Sequence, residues 1–575
     1  MKANDIFLKT IYNRYLMPTI LSVLGGTVNV FIDGILVGRS LGENGLAAIN
    51  LCMPVYLVFC TIGALIAAGA SIVSSREIGR HNIEKSYGVF KSAILISAVC
   101  AIGISAVGSV FVGPLAVSLS GTSGLLPMVK TYLEIIFIVC LPKFLLYIPY
   151  YYLSLDGKNK KVSFIMLTLA ALNVLFDALF LFALRMGIAG AAYANILATT
   201  FACVMGFLYL QKKDSNFRIR RQKASLHEAG AIIKNGSPVA LDNLFTALRV
   251  ITLNSILLAA GGSAYVSVFA VATCIGEFML CILYGIPQTA SSIIGIYCGE
   301  QDNGGIRILV RRQFRSGLII MAAASALIIL FSNNIGSLFG VAGNAAPALI
   351  CLASSLVFAQ INSNMTFYYN SVGRIAIANT ITIARVFVFA VAAALCLSPF
   401  GGAVWLFYPL AEAATLLMWL IVVKVISQRN KRLSPILLLD DSLEKKGSTL
   451  NFSVKTEAGA ICEASSKITG FCEANGLSPN QTMTISLAIE EMLVINTNKC
   501  FGNRPGGSID VRVFHLEDLT GIRFRYGGAL FNPVEYAQSD DDIMGDTMGI
   551  KMIVSMAKVV RYQSTFGVNS LIILI

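Results

Sequence analysis

Apolar runs of about 20 residues recur between Tyr15 and about residue 426 of this chain. An α-helix needs about 20 residues to cross the hydrocarbon core of a bilayer. The mean hydropathy of +0.73 and a charged fraction of only 13% exceed what a soluble fold can bury. The runs therefore predict a polytopic α-helical membrane protein.

Each apolar run predicts one transmembrane helix, which gives twelve helices in total. Lys and Arg concentrate in alternate loops between them, as at Arg76, Lys158 and Arg307. Because basic loops stay on the cytoplasmic side, we expect a multi-pass protein of the plasma membrane with both termini in the cytoplasm. The predicted spans are 15–38, 45–72, 88–112, 127–152, 162–184, 188–210, 236–259, 265–297, 316–340, 345–370, 375–396 and 403–426.

The membrane part repeats itself along the sequence. The segment that starts at Pro18 aligns with the segment that starts at Pro238, and the same offset aligns residues 69–79 with residues 289–299. A constant offset predicts two homologous six-helix lobes of the same orientation, with a binding site in the cavity between or within them. The lobes are predicted at residues 1–222 and 223–432.

The chain changes character after a linker at 433–446. From residue 447 to 575 short amphipathic segments replace the long apolar runs, which indicates a water-soluble domain. This segment carries 10 Lys and Arg against 13 Asp and Glu, so the net charge of +13 comes from the membrane part. Because that positive charge follows membrane topology, it does not favour nucleic-acid binding.

Metal and disulfide chemistry find little support in the sequence. The thirteen cysteines form no C-x-x-C pair, and five of them lie in apolar runs, which predicts buried thiols rather than a disulfide or zinc framework. Only three histidines occur, all outside the predicted spans. We therefore expect no His-based catalytic site and no metal site.

Asp33 is the one charged residue in the run from Tyr15 to Gly38. An ionised carboxylate at membrane depth costs several kcal/mol, so it normally faces a cavity, pairs with a cation or takes up a proton. A carboxyl group that reaches a cavity can exchange a proton or a sodium ion as the cavity opens and closes. The alternative is a carboxylate held in a buried polar network.

Three stretches resemble the multidrug and toxic compound extrusion (MATE) family of secondary transporters. They are PTILSVL…VFIDGILVGRSLGENGLAA, ALNVLFDALF and IGEFMLCILYGIPQTASSIIGIYCG. The resemblance covers roughly three quarters of the chain. It implies that Asp33 and Asp177 match acidic positions of cation coupling in the amino-terminal half, with Asn173 one helical turn before Asp177 on the same face.

Lys143 departs from the apolar norm of this family. It is a candidate partner for Asp33 or Asp177, and the sequence leaves open which of them it touches. A buried Lys beside either acid would keep that carboxylate ionised and remove it from proton coupling.

The second half places its acids elsewhere, because Leu253 occupies the repeat position of Asp33. Glu277 lies near the bilayer centre and resembles an acidic position of bacterial family members. We predict that it is a substrate or cation ligand, or that it pairs internally with Arg249 or Arg385. The secondary candidates are Asp242, Arg249, Arg385 and Glu412.

The soluble segment resembles the histidine-kinase-type (GHKL) ATPase fold, in its anti-sigma-factor serine-kinase branch. ISLAIEEMLVINTNKC, FRYGGALFNPVEY, DTMGIKMIVSMAK and FGVNSLIILI carry the resemblance. The pattern departs at three nucleotide-contacting points: Ile495 stands where the Mg²⁺-binding Asn is expected, Tyr526 replaces the Asp of the D-x-G box, and Thr547 replaces a glycine of the later G-x-G. The vestigial nucleotide-binding residues are Glu491, Asn496, Gly528, Asn532 and Gly549.

We therefore predict a protein that requires no cofactor, with a regulatory or protein-interaction domain in place of an ATP- and Mg²⁺-binding kinase. The leading function is H⁺- or Na⁺-coupled export of amphipathic, cationic small molecules, with a cytoplasmic regulatory protein as a further partner. One alternative is a membrane-tethered sensor whose soluble domain binds or phosphorylates a regulator. Another is a lipid-linked saccharide flippase, which would need a more basic cavity than Lys143, Arg249 and Arg385 provide.

Overall fold

The structure is a computed structural model, and it consists of a helical part, a connecting segment and an α+β domain. The helical part ends at residue 429, the connecting segment reaches residue 440, and the domain begins at residue 448. The structure describes residues 3–120, 125–138, 140–212, 215–218, 228–338, 345–440, 448–456, 458–502, 507–516, 519–538, 548–565 and 567–575.

The helical part has the apolar helices that a polytopic membrane protein needs. In the described ranges nine helical stretches are long and apolar enough to cross a membrane, or ten if α3 and α4, which meet at a bend of 52°, form one span. The membrane class is confirmed and the predicted number of twelve helices is not. The helices are α1 (Ala3–Gly79), α2 (Ile83–Ser120), α3 (Leu126–Ile138), α4 (Cys140–Leu155), α5 (Asn159–Asp177), α6 (Ile188–Leu210), α7 (Ala229–Gly299), α8 (Asn303–Leu330), α9 (Ser332–Leu338), α10 (Ala346–Ser371), α11 (Ile375–Ile383), α12 (Phe389–Leu397) and α13 (Phe407–Arg429).

Several predicted spans merge or divide in the structure. The first two lie within α1, and the seventh and eighth lie within α7, which bends at Gly261 and Gly262. Gly262 has φ +65°, a left-handed conformation that glycine adopts without a steric penalty. The predicted boundary between the lobes at residue 222 and the end of the predicted linker at residue 446 lie outside the described residues.

Glycines let α1 and α7 approach until their backbones touch. A Cβ atom at Gly79 would overlap the carbonyl oxygen of Ile296, and one at Gly299 would overlap the carbonyl oxygen of Arg76. Small residues at a helix crossing in a membrane permit this close approach. Gly79 and Gly299 are equivalent positions of the sequence repeat, so related surfaces of the two halves meet at this crossing.

Arg76 adds hydrogen bonds between the two halves at the same place. Its Nε donates to the carbonyl oxygen of Ser371 at 2.8 Å, and its Nη2 donates to Oδ1 of Asn235 at 2.9 Å. The two halves are therefore closed against each other at the end of the molecule that carries loops 80–82 and 300–302. We call this end the basic end, because the predicted Lys- and Arg-rich loops include loop 80–82 and the loop that starts at residue 300.

The carboxy-terminal part is an α+β domain, as predicted. Its five strands form one antiparallel sheet in the order β1-β2-β3-β5-β4. Apolar side chains on one face, such as Val511 and Phe524, pack with Ile489 and other residues of the domain's helices. These observations do not by themselves confirm the histidine-kinase-type fold. The elements are β1 (Ser448–Lys455), α14 (Ala458–Ala474), α15 (Pro479–Phe501), β2 (Ser508–Leu516), β3 (Leu519–Tyr526), α16 (Pro533–Gln538), α17 (Met548–Met556), β4 (Val559–Thr565) and β5 (Val568–Leu574).

The opposite face of the sheet is charged and lies against the basic end. Arg523 of β3 contacts Glu300 at 2.8 Å and Asp302 at 2.9 Å, both in the loop that follows α7. Arg512 of β2 contacts Asp302 at 3.2 Å. The helical part and the α+β domain therefore meet through buried ion pairs.

The acids of this contact differ in proton affinity. Burial raises the pKa of Asp510 on β2 to about 7, although nearby Arg523 acts in the opposite direction. Burial also acts to raise the pKa of Asp302, but Arg523 and Arg512 outweigh it and hold the pKa below its ordinary value. Asp510 is therefore the acid of this pair that takes up a proton near neutral pH.

Replacement of Asp510 by Asn should change how stability depends on pH. In the wild type, the raised pKa makes the folded state bind a proton that the unfolded state has lost, so this contribution to stability declines between about pH 4 and pH 7. Asn does not titrate, so the stability of D510N lacks this decline with pH. The melting temperature of D510N relative to wild type should thus be higher at pH 8 than at pH 5, by about 2–4 °C. Thermal unfolding of the full chain in detergent at the two pH values measures this, with E463Q at an exposed site as the control.

Candidate functional site

The predicted coupling residues of the first half meet in the structure. Asn173 lies on α5 and Asp177 ends it, and both side chains are fully buried. Nδ2 of Asn173 donates to Oδ2 of Asp177 at 2.8 Å. Asp33 of α1 lies close enough to interact with both side chains. The three residues form one buried polar group, which we call the coupling cluster.

A change of helical geometry begins directly after this cluster. Residues Ala178–Ala183 form a π-helical turn that continues α5. The second half has a similar turn at Ala384–Val388, which continues α11 and contains Arg385. Such turns often occur at functional sites, because the wider turn frees backbone groups and redirects side chains. No sequence pattern indicated them.

The coupling cluster has more acceptor atoms than donors. Oδ1 of Asp33, Oδ1 of Asn173 and Oδ1 of Asp177 are buried and have no hydrogen-bond partner among the described residues. Buried acceptors are normally satisfied, and two carboxylates in contact repel each other unless a proton or a cation lies between them. The cluster can therefore take up a proton or a small cation with oxygen ligands.

Lys143 lies in a neighbouring cavity with aromatic walls. Its Nζ is 4.9 Å from the centroid of the Tyr56 ring, and it forms no ion pair within the described part of the chain. Tyr56 and Tyr132 both line this cavity and both interact electrostatically with Asp33. The structure thus places Lys143 on Tyr56 and not on Asp33 or Asp177. The cavity is also lined by Phe59, Ile136, Cys140, Ala192, Asn195, Ile196 and Thr199.

The second half holds a cluster of opposite charges. Nη2 of Arg385 lies 3.3 Å from Oδ1 of Asp242, and Tyr284 donates to Oδ2 of Asp242 at 2.6 Å. The Arg385 side chain is almost fully buried. A buried guanidinium needs a carboxylate and further hydrogen bonds around it, and these residues provide both. Asp242 and Arg385 were secondary candidates, and the sequence did not indicate Tyr284.

Glu412 extends the same cluster. Nδ2 of Asn362 donates to Oε2 of Glu412 at 2.7 Å, and Nε1 of Trp419 donates to Oδ1 of Asn362 at 2.8 Å. Glu412 also attracts Arg385 electrostatically. Asn362 and Trp419 went unnoticed in the sequence because uncharged polar residues are frequent in membrane helices.

Glu277 lies on α7 with Arg249 as its main cationic neighbour, and Arg385 pairs with Asp242 instead. Leu253, at the repeat position of Asp33, is fully buried in the apolar core of the second half. The two halves therefore share a fold and differ in chemistry. The coupling cluster of the first half has no basic partner in the part of the chain that the structure describes, whereas Asp242 of the second half pairs with Arg385.

The residues of the α+β domain that were predicted as vestigial nucleotide-binding positions make contacts within the domain itself. Asn532 caps α16, where its Oδ1 accepts from the backbone N–H of Val534 at 3.1 Å. Asn496 is fully buried and faces the hydroxyl of Tyr526, the residue that replaces the Asp of the expected D-x-G box. A Cβ at Gly528 would overlap the backbone of Cys500.

Glu491 is the last of the predicted vestigial nucleotide-binding residues, and it too is packed against another part of the domain. Its carboxylate lies where a Cβ atom of Gly549 would stand, so the helix that begins at Met548 packs directly on it. Thr547 lies outside the described residues. No group of three or more His, Cys, Asp or Glu side chains in the described ranges is arranged to hold a metal ion.

Comparisons with known proteins concern mainly the helical part. Residues 18–179 match the family model MatE. The multidrug export protein MepA of Staphylococcus haemolyticus is 22% identical over 350 residues, which are 60% of this chain and 75% of that protein. The FAD transporter of Shewanella oneidensis is 25% identical over 310 residues, which are 52% of this chain and 67% of that protein.

Solved structures show the same fold. An outward-facing multidrug resistance MATE family transporter superimposes with a TM-score of 0.70 at 21% identity, over 74% of this chain and 97% of its own. A transporter of the MOP superfamily from Pyrococcus furiosus, described as having a binding pocket of reverse polarity, superimposes with a TM-score of 0.69 at 21% identity over the same shares.

Replacement of Lys143 by Met should leave cation coupling intact. The ammonium group contacts the Tyr56 ring and forms no ion pair with an acid in the described ranges, so its removal should not change the charge balance of the coupling cluster. Purified K143M should keep the wild-type dependence of transport on the cation gradient within about twofold, while the relative affinities for anionic and cationic substrates change. Transport and binding assays in proteoliposomes measure both. A loss of gradient dependence would contradict the separation of Lys143 from the acids.

Proposed function

We propose that this protein, whose membrane part is a MATE-like transporter rather than an enzyme, exports amphipathic small molecules in exchange for H⁺ or Na⁺. The observation that carries the proposal is the coupling cluster, in which Asp33 and Asp177 approach each other with unsatisfied oxygens and no basic partner among the described residues. A site of this kind binds a cation in one conformation and releases it when the surroundings change.

Coupling follows from the electrostatics of two acids in contact. With a proton or a cation bound, the repulsion between Asp33 and Asp177 is relieved and the first half packs tightly. Without it, the carboxylates favour water and an open cavity. A ligand can shift a conformational equilibrium only by its different affinities for the two states, and the coupling cluster provides such a difference. Alternating access of the two halves would use it to drive export.

We propose that the cavity beside Lys143 belongs to the substrate path, where its aromatic side chains suit a ligand with aromatic groups. Tyr56, Phe59 and Tyr132 provide flat apolar walls, and polar groups come from Asn195 and Thr199. The charged residues at membrane depth are five acids and three bases, which favours a cationic substrate. The acids are Asp33, Asp177, Asp242, Glu277 and Glu412, and the bases are Lys143, Arg249 and Arg385.

Orientation sets the direction of transport. The basic end faces the cytoplasm if the positive-inside rule holds, which places both termini and the α+β domain inside the plasma membrane. The contact of the domain with loop 300–302 supports this orientation, since that loop lies at the basic end. Export would then begin when the two halves separate at the basic end.

The α+β domain is proposed to keep a histidine-kinase-type scaffold and to have lost the nucleotide. Support comes from the structural positions of Asn496, Asn532 and Gly549, which make packing or capping contacts within the domain. A regulatory role, through contact with the membrane part or with a cytoplasmic protein, fits such a scaffold. A membrane-tethered sensor is the second candidate function, and the docked domain favours it.

A saccharide flippase fits the charges less well. The arginines at membrane depth would have to be available for acidic headgroups, whereas Arg385 pairs with Asp242 and Arg249 faces Glu277. Lys143 alone is not matched by an acid in the described residues.

Replacement of Asp33 by Asn should abolish gradient-driven export. The amide cannot exchange a proton and binds a cation weakly, so the coupling cluster loses its switch while the helix still inserts. Uptake of a fluorescent organic cation into inverted vesicles under a proton or sodium gradient should fall by at least about tenfold. E134Q, which removes a half-exposed acid that faces Lys130, is the matched control and should transport like wild type. Wild-type uptake by D33N would refute the role of Asp33.

The same assay separates transporter from sensor. A chain truncated after Asp440 keeps the connecting segment and lacks the α+β domain. Uptake by both the full and the truncated chain would support a transporter with an accessory domain. Uptake by neither, with both proteins folded, would favour the sensor.

Nucleotide should not bind to the full chain. The altered positions remove an adenine acceptor and a phosphate-loop glycine, so a fluorescent ATP analogue with Mg²⁺ should show no saturable binding up to about 1 mM, the weak limit of useful affinity. Saturable binding that unlabelled ATP displaces would contradict the loss of the pocket.

A further inference from the structure

The charged face of the β-sheet is incomplete without the membrane part. Arg512 on β2 and Arg523 on β3 stand directly opposite each other in the register, and Asp510 stands opposite Arg525. Like charges at directly opposed positions destabilise a sheet. All four side chains are nonetheless almost fully buried. The face therefore requires acids from outside the domain.

Loop 300–302 provides those acids. Glu300 contacts both Arg523, at 2.8 Å, and Arg525, and Asp302 contacts Arg512 at 3.2 Å and Arg523 at 2.9 Å. Together with Asp510 on β2, these two acids surround the three guanidinium groups of the sheet. The guanidinium of Arg525 also lies 3.6 Å from the centroid of the Tyr297 ring, near the end of α7. Opposite charges meet across the contact, as in a specific interface.

The α+β domain also contacts the equivalent loop of the first half. Loop 80–82 and loop 300–302 occupy the same positions of the sequence repeat, and both turn through a left-handed residue, His81 with φ +56° and Gln301 with φ +55°. Arg561 of β4 donates to the carbonyl oxygen of His81 at 3.4 Å, and Arg512 donates to the carbonyl oxygen of Gln301 at 3.4 Å. One sheet thus binds the same backbone atom in both halves.

The acids of loop 300–302 are unusual for their place. The positive-inside pattern predicts basic residues at this end, and the equivalent loop has Arg80 where this loop has Glu300, and Asn82 where it has Asp302. Membrane topology does not explain why Glu300 and Asp302 are acidic. Their contacts with the arginines of the sheet explain it.

We propose that the α+β domain is a clamp that holds the membrane part closed at its basic end. The ends of α1 and α7 touch there through Gly79 and Gly299, and each continues directly into one of the two clamped loops. Opening at this end must separate the two loops. A single sheet cannot stay bound to both, so one set of arginine contacts must break before the membrane part opens.

The connecting segment keeps the clamp in position after release. The hydroxyl of Tyr369 donates to the carbonyl oxygen of Ile436 at 2.7 Å, and that of Tyr368 donates to the carbonyl oxygen of Leu437 at 2.8 Å. Nδ2 of Asn303 donates to the carbonyl oxygen of Asp440 at 2.8 Å. This segment is anchored to the second half independently of the arginines, so the released domain stays close to its loops and can bind again.

A native cysteine reports on the closed end. Cys298 lies between Tyr297 and Gly299, is half-buried, and sits beside Arg76, so separation of α1 from α7 exposes it. Cys462, on α14 of the domain, is exposed in either case and serves as the internal reference. The rate of N-ethylmaleimide modification at each cysteine can be followed by mass spectrometry on the full chain in lipid nanodiscs.

The test compares two variants that break the clamp from opposite sides with one that does not. R523Q removes the central guanidinium of the sheet, and E300Q removes its partner in the loop without altering the domain. K467Q removes an exposed ion pair elsewhere on the same domain and is the matched control. Modification of Cys298 should become about tenfold faster or more in both R523Q and E300Q, with Cys462 unchanged and K467Q like wild type.

Unchanged modification of Cys298 in E300Q, which cannot misfold the domain core, would overturn the proposal. The readout requires no substrate, so it is separate from the transport proposal: a chain that fails to transport could still show the clamp, and a transporter could lack it. In a transport-competent preparation, E300Q should also raise the initial rate of uptake by several-fold relative to K467Q. A lower rate in E300Q than in K467Q would count against a restraining role.

Discussion

The low polarity of a bilayer, in which an unpaired charge is costly, is the constraint on which this structure depends. Every charge at membrane depth must be paired, neutralised or placed beside water. The second half meets the requirement with Arg385, Asp242 and Glu412 in one cluster. The first half brings Asp33 and Asp177 together without a base among the described residues, and we propose that a proton or a small cation neutralises them. The asymmetry between the halves follows from that difference.

The same electrostatic requirement shapes the contact between the helical part and the α+β domain. Arg512 and Arg523, which stand opposite each other on adjacent strands, meet acids from the loop that follows α7. The repeat puts two equivalent loops side by side where α1 and α7 touch, and one sheet spans both. A soluble domain at this position senses the distance between the two halves directly, because each half contributes one binding loop.

The individual charged residues of the candidate site could be predicted from the sequence, but the contacts between them could not. Intramembrane acids are rare enough that Asp33, Asp177 and Glu277 stand out from the sequence, and the spacing of Asn173 and Asp177 on one helical face holds in the structure. Lys143 was visible too, but its contact with Tyr56 depends on how α1 packs against α4. Tyr284 was missed because a tyrosine in a membrane helix carries no distinguishing signal.

The sequence by itself determined the membrane class, the internal repeat, the position of the soluble domain and the set of charged residues at depth. These follow from local composition and from comparison of one segment with another. The tertiary structure decided how many helices form, since glycine bends and merged spans depend on packing, and which charge meets which. Such pairs join residues far apart along the chain, and their choice rests on the free energy of the whole assembly of helices rather than on any local pattern. The arginine contacts with Glu300 and Asp302 were decided in the same way.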